Sequence, residues 1–261
     1  MPYLLSIVLA LIVVFPALAG NPLLPGIKGA DDRVLVSSTE MPWRAIGRLN
    51  KRTGGHCTAA LVGPRTVLTA AHCLWNKRMR RFLPVQSLHF VAGWSKGDYL
   101  AHAKAASIYV PAKYDGLTPR SSKTLNHDWA VVTLTDDIGS TLGYFDVTAM
   151  DARGLSTYRK RKASFIQAGY SQDKKHILSV HRGCALDGMV KGHMLIAHRC
   201  DAVPGDSGSP IFLAEKGRYT ITAIHVATRK TTKGTFGLAV PGISFAEAIL
   251  AQTSRRSKLN Q

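Results

Sequence analysis

The chain contains 261 residues, of which 46% are hydrophobic and 19% are charged. This apolar content can bury a sizeable core, so the composition excludes an intrinsically disordered chain. Lys and Arg number 34 against 16 Asp and Glu, a formal net charge of +18 that favours contact with anionic surfaces. The basic residues are scattered, without interleaved aromatic residues or a nucleic-acid-binding motif, so we expect no specific nucleic acid as a partner.

Residues 1–19 have the pattern of a signal peptide. An apolar run at residues 4–15 is too short to cross a bilayer comfortably, and the small-residue sequence Ala17-Leu18-Ala19 follows it. We expect cleavage after Ala19 and secretion, into the medium or the periplasm. An uncleaved anchor is the alternative, because no Lys or Arg precedes the apolar run. Residues 20–33 contain Pro and Gly without periodicity, which predicts a propeptide or a loose N-terminal arm.

Residues 34–261 are predicted to form one all-β domain. Short apolar runs alternate with turn residues such as Gly63-Pro64-Arg65. This number of strands suits two closed or nearly closed β-barrels, since closure removes exposed strand edges. The predicted strands are residues 45–49, 57–62, 66–69, 87–92, 104–110, 129–134, 164–169, 177–184, 193–200, 211–213, 219–226 and 236–239.

Helical periodicity is clear only near the C-terminus, at residues 244–251. Phe245, Ala248 and Ile249 have i, i+3, i+4 spacing, Ser244 suits the N-cap, and Glu247 follows three residues later. No repeat or Pro-rich linker divides the domain, so we expect a single compact unit with a C-terminal helix.

The four cysteines are expected to form disulfides, because an exported chain meets an oxidising compartment. Three pairings exist in principle, and we favour the two local ones, Cys57 with Cys73 and Cys184 with Cys200. None of the four has the short spacing of a metal site, and we expect no metal or other cofactor.

Three segments carry residues suited to nucleophilic catalysis. In the sequence VPGDSGSP, Ser207 stands among glycines that leave backbone space for an oxyanion hole, with the N–H groups of Gly205 and Ser207 as expected donors. His72 ends a strand in TAAHC, and Asp128 opens an apolar strand in NHDWAVV. A carboxylate drawn inward by such a strand needs a partner, and His72 suits that role.

These motifs together resemble the chymotrypsin and trypsin superfamily of serine proteases, which has the same order of His, Asp and Ser. The resemblance runs from about residue 34 to the final helix. It implies two six-stranded antiparallel β-barrels with the active site between them, and a monomeric enzyme that cleaves proteins or peptides. It also implies that Ser207 is the nucleophile of an acyl-enzyme mechanism, His72 the general base and then acid, and Asp128 the residue that orients His72.

The cysteine pattern is more similar to secreted bacterial members, including the glutamyl-endopeptidase group. Val203 stands where many digestive relatives carry a further cysteine. In the family, a disulfide at the positions of Cys57 and Cys73 holds the loop of the catalytic histidine, here His72. The resemblance therefore supports the local pairing of these two cysteines.

The primary specificity stays open at this stage, with a predicted substrate-binding set of Asp201, Ala202, His225, Val226 and Thr228. Asp201 matches the carboxylate at the base of the pocket of trypsin-like enzymes, which favours cleavage after Lys or Arg. His225 matches a pocket histidine of glutamate-specific relatives, although Ala202 stands where those relatives have Thr or Ser. Thr228 replaces a frequent glycine and narrows the pocket mouth, which favours small residues.

The sequence Asp31-Asp32-Arg33-Val34 predicts activation by cleavage after Arg33. The freed amine of Val34 would pair with Asp206, as the corresponding groups do in the superfamily. The alternative is that Arg33 is an ordinary surface residue and that local donors satisfy Asp206. Another class of function, a catalytically idle cationic homologue that binds anionic surfaces, is disfavoured because all three catalytic residues keep their motifs.

Overall fold

The computed structural model describes residues 24–118, 121, 124–190, 192, 194–232 and 234–257. The predicted signal peptide lies outside these residues. The described part is mostly β-structure, as predicted. Its strands are β1 (Arg33–Val36), β2 (Ile46–Lys51), β3 (His56–Gly63), β4 (Thr66–Thr69), β5 (Trp75–Asn76), β6 (Arg81–Phe82), β7 (Leu88–Ala92), β8 (Ala101–Tyr109), β9 (Ala130–Leu134), β10 (Ser164–Gly169), β11 (Leu178–Arg182), β12 (Leu186–Val190), β13 (Leu195–His198), β14 (Pro210–Glu215), β15 (Arg218–Thr231) and β16 (Gly234–Pro241). The helices are α1 (Gly139–Leu142), α2 (Ala152–Lys160) and α3 (Ala246–Ser257).

The first half of the domain is a closed antiparallel barrel with the strand order β2-β3-β4-β9-β8-β7. It closes because β2 pairs with both β3 and β7, and Leu49 lies opposite Cys57 on one side and Phe90 on the other. Its interior contains Leu49, Leu61, Leu68 and Phe90, all fully buried. Burial of this apolar surface and the absence of free strand edges make the barrel a stable base for loops.

The second half is an eight-stranded sheet with the order β1-β11-β10-β14-β15-β16-β13-β12. Two strands more than the predicted six take part, β1 and β12, one at each edge. Strand β1 comes from the segment before the first barrel and pairs with β11. The fourteen-residue strand β15 pairs with β14 and β16 along its length and carries residues that face the cleft between the halves.

The C-terminal helix α3 joins the two halves. Phe245 and Ile249 are buried in the core, and the Phe245 ring lies 6.1 Å from the ring of Trp129 at the start of β9. The helix was predicted over residues 244–251 and begins at Ala246, after a 3₁₀ turn formed by Gly242–Ser244. Among the described residues, no helix is long and apolar enough to cross a membrane.

Two disulfides connect the cysteines as the local pairing predicted. Cys57 and Cys73 have Cα atoms 6.1 Å apart, and Cys184 and Cys200 have Cα atoms 4.8 Å apart. The first bond links β3 to the 3₁₀ turn that carries His72. The second links the segment between β11 and β12 to the residue before Asp201.

Candidate active site

His72 and Asp128 are brought together at one end of the first barrel. His72 lies in the 3₁₀ turn Ala71–Leu74 that follows β4, and Asp128 follows the 3₁₀ turn Leu125–His127 and precedes β9. Since β4 and β9 are neighbours in the barrel, their adjoining loops meet. The Asp128 carboxylate accepts hydrogen bonds from the Nδ1 of His72 at 2.7 Å and from the His72 N–H at 2.8 Å.

Asp128 is only 1% exposed, so this carboxylate has little water to solvate it. Two hydrogen bonds to one histidine compensate for that burial and fix the imidazole ring. With Nδ1 bound to Asp128, the Nε2 atom of His72 is left to face the cleft, where the side chain is 24% exposed. This is the arrangement that a general base requires.

The loop of Ser207 is held between the two halves. The N–H of Thr58 on β3 donates to the carbonyl of Ser207 at 3.0 Å, and the N–H of Gly208 donates to the carbonyl of His225 on β15 at 2.8 Å. Gly208 has a positive φ of 82°, and a Cβ atom there would collide with the Thr58 carbonyl. Only glycine therefore allows the loop to lie this close to the first barrel.

The expected oxyanion donors are free. Within the part of the chain that the structure describes, neither the Gly205 N–H nor the Ser207 N–H donates a hydrogen bond. Gly205 has a φ of 99°, and its carbonyl accepts from the hydroxyl of Thr58 at 3.0 Å. The loop is thus anchored through its carbonyl while two amide groups stay available for a negative oxygen.

A cavity of about 410 Å³ lies beside these groups. The described residues that line it come from the N-terminal arm, from the first barrel and from the second half: Pro25, Gly26, His72, Lys77, Leu125, Asp128, Ala202, Val203, Pro204, Ser207, His225, Val226, Ala227, Thr228 and Lys230. The predicted triad and four of the five predicted substrate-binding residues therefore meet at one cavity.

His225 forms a buried pair with His198 that the sequence analysis missed. The Nδ1 of His225 and the Nε2 of His198 are 2.9 Å apart, and both side chains are buried. Burial lowers the pKa of His225 to about 3 and that of His198 well below its usual value, so both rings are neutral. His198 lies on β13, two strands from β15, and only the strand order reveals this contact.

Asp201, the fifth predicted substrate-binding residue, does not line the cavity. Its buried carboxylate accepts from the N–H of Lys28 at 2.8 Å and from the N–H of Asp32 at 3.1 Å, both in the N-terminal segment. The role of Asp201 as the base of a pocket for basic residues stays a prediction, and in this structure backbone donors of the N-terminal segment occupy its carboxylate. Residues 24–32, within the segment predicted to be a propeptide or a loose N-terminal arm, contact Asp201 and line part of the cavity.

The predicted activation residues are also engaged. Arg33 is buried and forms ion pairs with Asp31 at 2.8 Å and with Asp173 at 2.7 Å. Asp206 accepts from the Val203 N–H at 2.9 Å and from the Ser171 hydroxyl at 2.7 Å. Burial raises the pKa of Asp206 to about 6 despite these hydrogen bonds. The side chain of Val34 is about half exposed on β1. In this uncut chain, local donors thus satisfy Asp206.

Comparisons with known proteins agree with this geometry. The model of the Trypsin family matches residues 35–249. A glutamyl endopeptidase of Bacillus licheniformis is 28% identical over 73% of this chain and 55% of its own length. An extracellular metalloprotease of Bacillus subtilis is 30% identical over 46% of this chain and 38% of its own length, so the chain spans about half the length of these relatives or less.

A solved structure of a Glu endopeptidase in complex with MPD has a similar fold. It superimposes with a TM-score of 0.66, at 20% identity, over 87% of this chain and 98% of that chain. This likeness shows that the closed barrel and the eight-stranded sheet are the two halves of a double-barrel fold of the trypsin type.

Proposed function

The chain belongs to the Trypsin family, and we propose that it is a trypsin-like serine endopeptidase whose catalytic residues are Ser207, His72 and Asp128. The observation that carries this proposal is the double hydrogen bond from His72 to the buried Asp128 carboxylate at the cavity that Ser207 also lines. Substrates of this family are proteins or peptides.

In the proposed reaction, the hydroxyl of Ser207 attacks the carbonyl carbon of the scissile peptide bond and passes its proton to His72 Nε2. Asp128 keeps the Nδ1 proton of His72 facing away from the cleft and stabilises the imidazolium. The negative oxygen of the tetrahedral intermediate accepts from the N–H groups of Gly205 and Ser207, each contributing about 3 kcal/mol. His72 then protonates the leaving amine, and water hydrolyses the acyl-enzyme with His72 again as base.

We further propose a preference for acidic side chains on the amino side of the scissile bond. Among the described residues that line the cavity, Asp128 is the only acid, and its carboxylate is bound by His72. Lys77, Lys230 and His225 line the same cavity. Because basic side chains outnumber free acidic ones along its lining, the cavity attracts a carboxylate and repels an ammonium or guanidinium group.

The buried histidine pair supports the same preference. The Nδ1 of His198 has no hydrogen-bond partner among the described residues. A bare nitrogen lone pair there is less costly than an unpaired buried N–H, so we infer that His198 Nε2–H donates to His225 Nδ1. His225 then carries its proton on Nε2 and donates it to a substrate carboxylate. The relative from B. licheniformis bears the name glutamyl endopeptidase, in agreement with this preference over the Lys or Arg preference that Asp201 had indicated.

Secretion also belongs to this proposal, supported by the sequence of residues 1–19 and by the name of the extracellular relative. The division into a signal peptide at residues 1–19, a following segment at 20–33 and a protease domain at 34–261, and the monomeric state, stay predictions. Activation by cleavage after Arg33 also stays a prediction. The contacts of the N-terminal segment with Asp201 and Asp173 oppose it, because release of that segment would break them.

The test is cleavage of a peptide series that differs only in the residue before the scissile bond. We expect kcat/KM for Glu to exceed that for Lys and Ala by about tenfold or more, as a matched charge at a partly desolvated site allows. Ser207→Ala is the matched control and should cleave none of the series. Cleavage after Lys that is faster than cleavage after Glu would contradict the acidic preference and leave the proposed triad intact. Full activity of Ser207→Ala would contradict the triad. An inactive wild-type protein that binds anionic vesicles would favour the idle homologue.

A further inference from the structure

The N-terminal arm, defined as residues 24–32, lies directly against the substrate cavity. Pro25 and Gly26 line the cavity together with Ala202 and Val226. The N–H of Ala202 donates to the carbonyl of Gly26 at 3.2 Å, so the arm pairs with the segment that precedes the nucleophile. A Cβ atom at position 26 would overlap the carbonyl oxygen of Ala202. Only glycine permits this approach.

Asp201 holds the arm at two points four residues apart. Its Oδ1 accepts from the Lys28 N–H at 2.8 Å and its Oδ2 from the Asp32 N–H at 3.1 Å. The carboxylate is 2% exposed, and the N–H of Asp201 donates to the Nδ1 of His181 at 3.0 Å. A buried carboxylate with two backbone donors and a fixed main chain is a strong anchor, because breaking either bond leaves a buried charge undersolvated.

The side chain of Lys28 closes the arm onto the sheet. Its ammonium donates to the carbonyl of Cys200, next to Asp201, and to the carbonyl of Gly26 at 3.0 Å. Burial lowers the pKa of Lys28 to about 8, against the opposing attraction of Asp201. The part-buried ammonium therefore binds two backbone carbonyls close to Asp201, whose negative charge attracts it.

The arm is a wall of the cavity and does not fill it. About 410 Å³ of space remains beside Ser207 and His72 while Pro25 and Gly26 are in contact with it. An inhibitory segment would occupy that space and cover Ser207. Beyond the arm, Arg33 is buried and paired with Asp31 and Asp173, so the bond after Arg33 is poorly placed for a processing protease.

We propose that the arm is a permanent wall of the substrate-binding cavity, that Asp201 is the positioning residue that fastens it, and that the mature enzyme keeps residues 24–32. This inference rests on the proposed function, because it assumes that the cavity beside Ser207 receives the substrate side chain. It assigns Asp201 a role different from pairing with a basic substrate, and it moves maturation to a bond before residue 24.

The first experiment is intact mass and N-terminal sequencing of the active, secreted full-length product. The expected N-terminus lies before Leu24. A fully active enzyme that begins at Val34 would overturn the proposal.

The second experiment compares Gly26→Val with Ala106→Val, a control at an exposed residue of β8 that lies outside the arm and the cavity. We expect Gly26→Val to raise KM for the best peptide about tenfold or more with a smaller change in kcat, since it displaces a wall and not the triad. Ala106→Val should match wild type. An unchanged KM in a folded Gly26→Val protein would overturn the proposal.

Asp201→Ala separates the two roles considered for Asp201. As the fastener of the arm, its loss should raise KM for every peptide of the series and expose the arm to proteolysis. As a counter-ion for basic substrates, its loss would affect Lys and Arg peptides alone, and that result would overturn the proposal. Labelling of Ser207 by a small sulfonyl fluoride, measured in wild type and in each variant, separates this test from the test of the triad. If wild type is not labelled, the proposed triad is contradicted. If wild type and the variants are labelled equally, changes in KM report on the arm.

Discussion

The two halves of the molecule contribute to the site in different ways. The first barrel is closed, and its two site residues, His72 and Asp128, are held by adjacent strands, a local disulfide and two hydrogen bonds to one carboxylate. The second half is an eight-stranded sheet with an edge strand, β1, that comes from before the first barrel. Its contribution depends on loops and on the N-terminal arm.

The buried ionisable groups are distributed just as unevenly. Among the described residues, and counting histidines, acids and basic residues, the second half buries six such side chains: Arg33, His181, His198, Asp201, Asp206 and His225. The first barrel buries His56 and Asp128. The first half therefore holds the proposed general base, His72, on a rigid barrel. The second half provides most of the buried polar groups, among them His198, Asp206 and His225 with shifted pKa values. Changes of pH or of covalent links should affect the two halves differently.

The largest expected effect concerns the first half. Asp128→Asn should reduce kcat by about ten-thousandfold at neutral pH, because the amide can bind the wrong tautomer of His72 while the fold is kept. Measurement of kcat against pH checks this, and the variant should recover part of its activity at high pH. As the control, Asp136→Asn changes an exposed carboxylate just after β9 and should behave as wild type. A loss below tenfold for Asp128→Asn would show that His72 does not depend on this partner.

The two disulfides provide a direct comparison of the halves. Replacing either pair of cysteines by serines should cost about 2 to 5 kcal/mol of unfolding free energy. Loss of Cys57–Cys73 should lower kcat, since it loosens the turn of His72. Loss of Cys184–Cys200 should raise KM instead, since Cys200 precedes the residue that fastens the arm. Urea unfolding together with peptide kinetics measures both effects, and equal kinetic effects of the two changes would contradict the comparison.

The pH dependence of stability should come mainly from the second half. Burial holds the folded pKa of His198 below its unfolded value of 6.5 and that of His225 at about 3, so the stability that these neutral rings contribute is complete above pH 6.5 and is lost as the pH falls below it. The stability that depends on His225 changes by up to about 1.4 kcal/mol per pH unit between pH 6.5 and about 3. Asp206 has the opposite effect on stability. Because its folded pKa is raised from 3.8 to about 6, its contribution to the free energy of unfolding is largest at low pH and is lost as the pH rises from 3.8 to about 6.

Urea unfolding at pH 7 and pH 5 tests this balance. We expect a net loss of stability at pH 5 in wild type, since two histidines oppose one aspartate. His198→Gln should show a smaller loss, because one buried neutral histidine has been removed. His176→Gln, at an exposed histidine, is the matched control and should keep the wild-type difference. If His198→Gln lost as much stability between pH 7 and pH 5 as wild type does, His198 would not be a source of the pH dependence.

The smallest expected effect lies on α2, none of whose residues lines the cavity. Asp151 is the N-cap of this helix, and its carboxylate accepts from the Gly154 N–H at 2.7 Å. Asp151→Ala should cost about 1 kcal/mol of unfolding free energy and leave kcat/KM unchanged. Asp146→Ala, at an exposed carboxylate 3.8 Å from Arg218, should cost less than half as much. A change in activity with Asp151→Ala would mean that the second half transmits strain to the site.

Most strands were predictable because their apolar, β-branched pattern is local. The prediction at residues 66–69 coincides with β4 and the one at 164–169 with β10, while others differ by one to five residues at an end. Strand β12 was missed because Gly188, with a φ of 146°, interrupts its pattern and marks a shift in register. Helix α2 was missed because Leu155 is its only fully buried side chain, although Asp151 was a usable capping signal.

The sequence by itself determined the family resemblance, the motifs around His72, Asp128 and Ser207, the local pairing of the cysteines and the all-β class, because each depends on residues close together in the chain. Only the tertiary structure decided which groups form the substrate cavity. Lys28 meets Asp201 across 173 residues of chain, and His198 meets His225 across 27. Such contacts follow from strand order and sheet edges, which the composition of a short segment does not record. For the same reason Asp201, a pocket residue by its position in the sequence, holds the N-terminal arm in the folded protein.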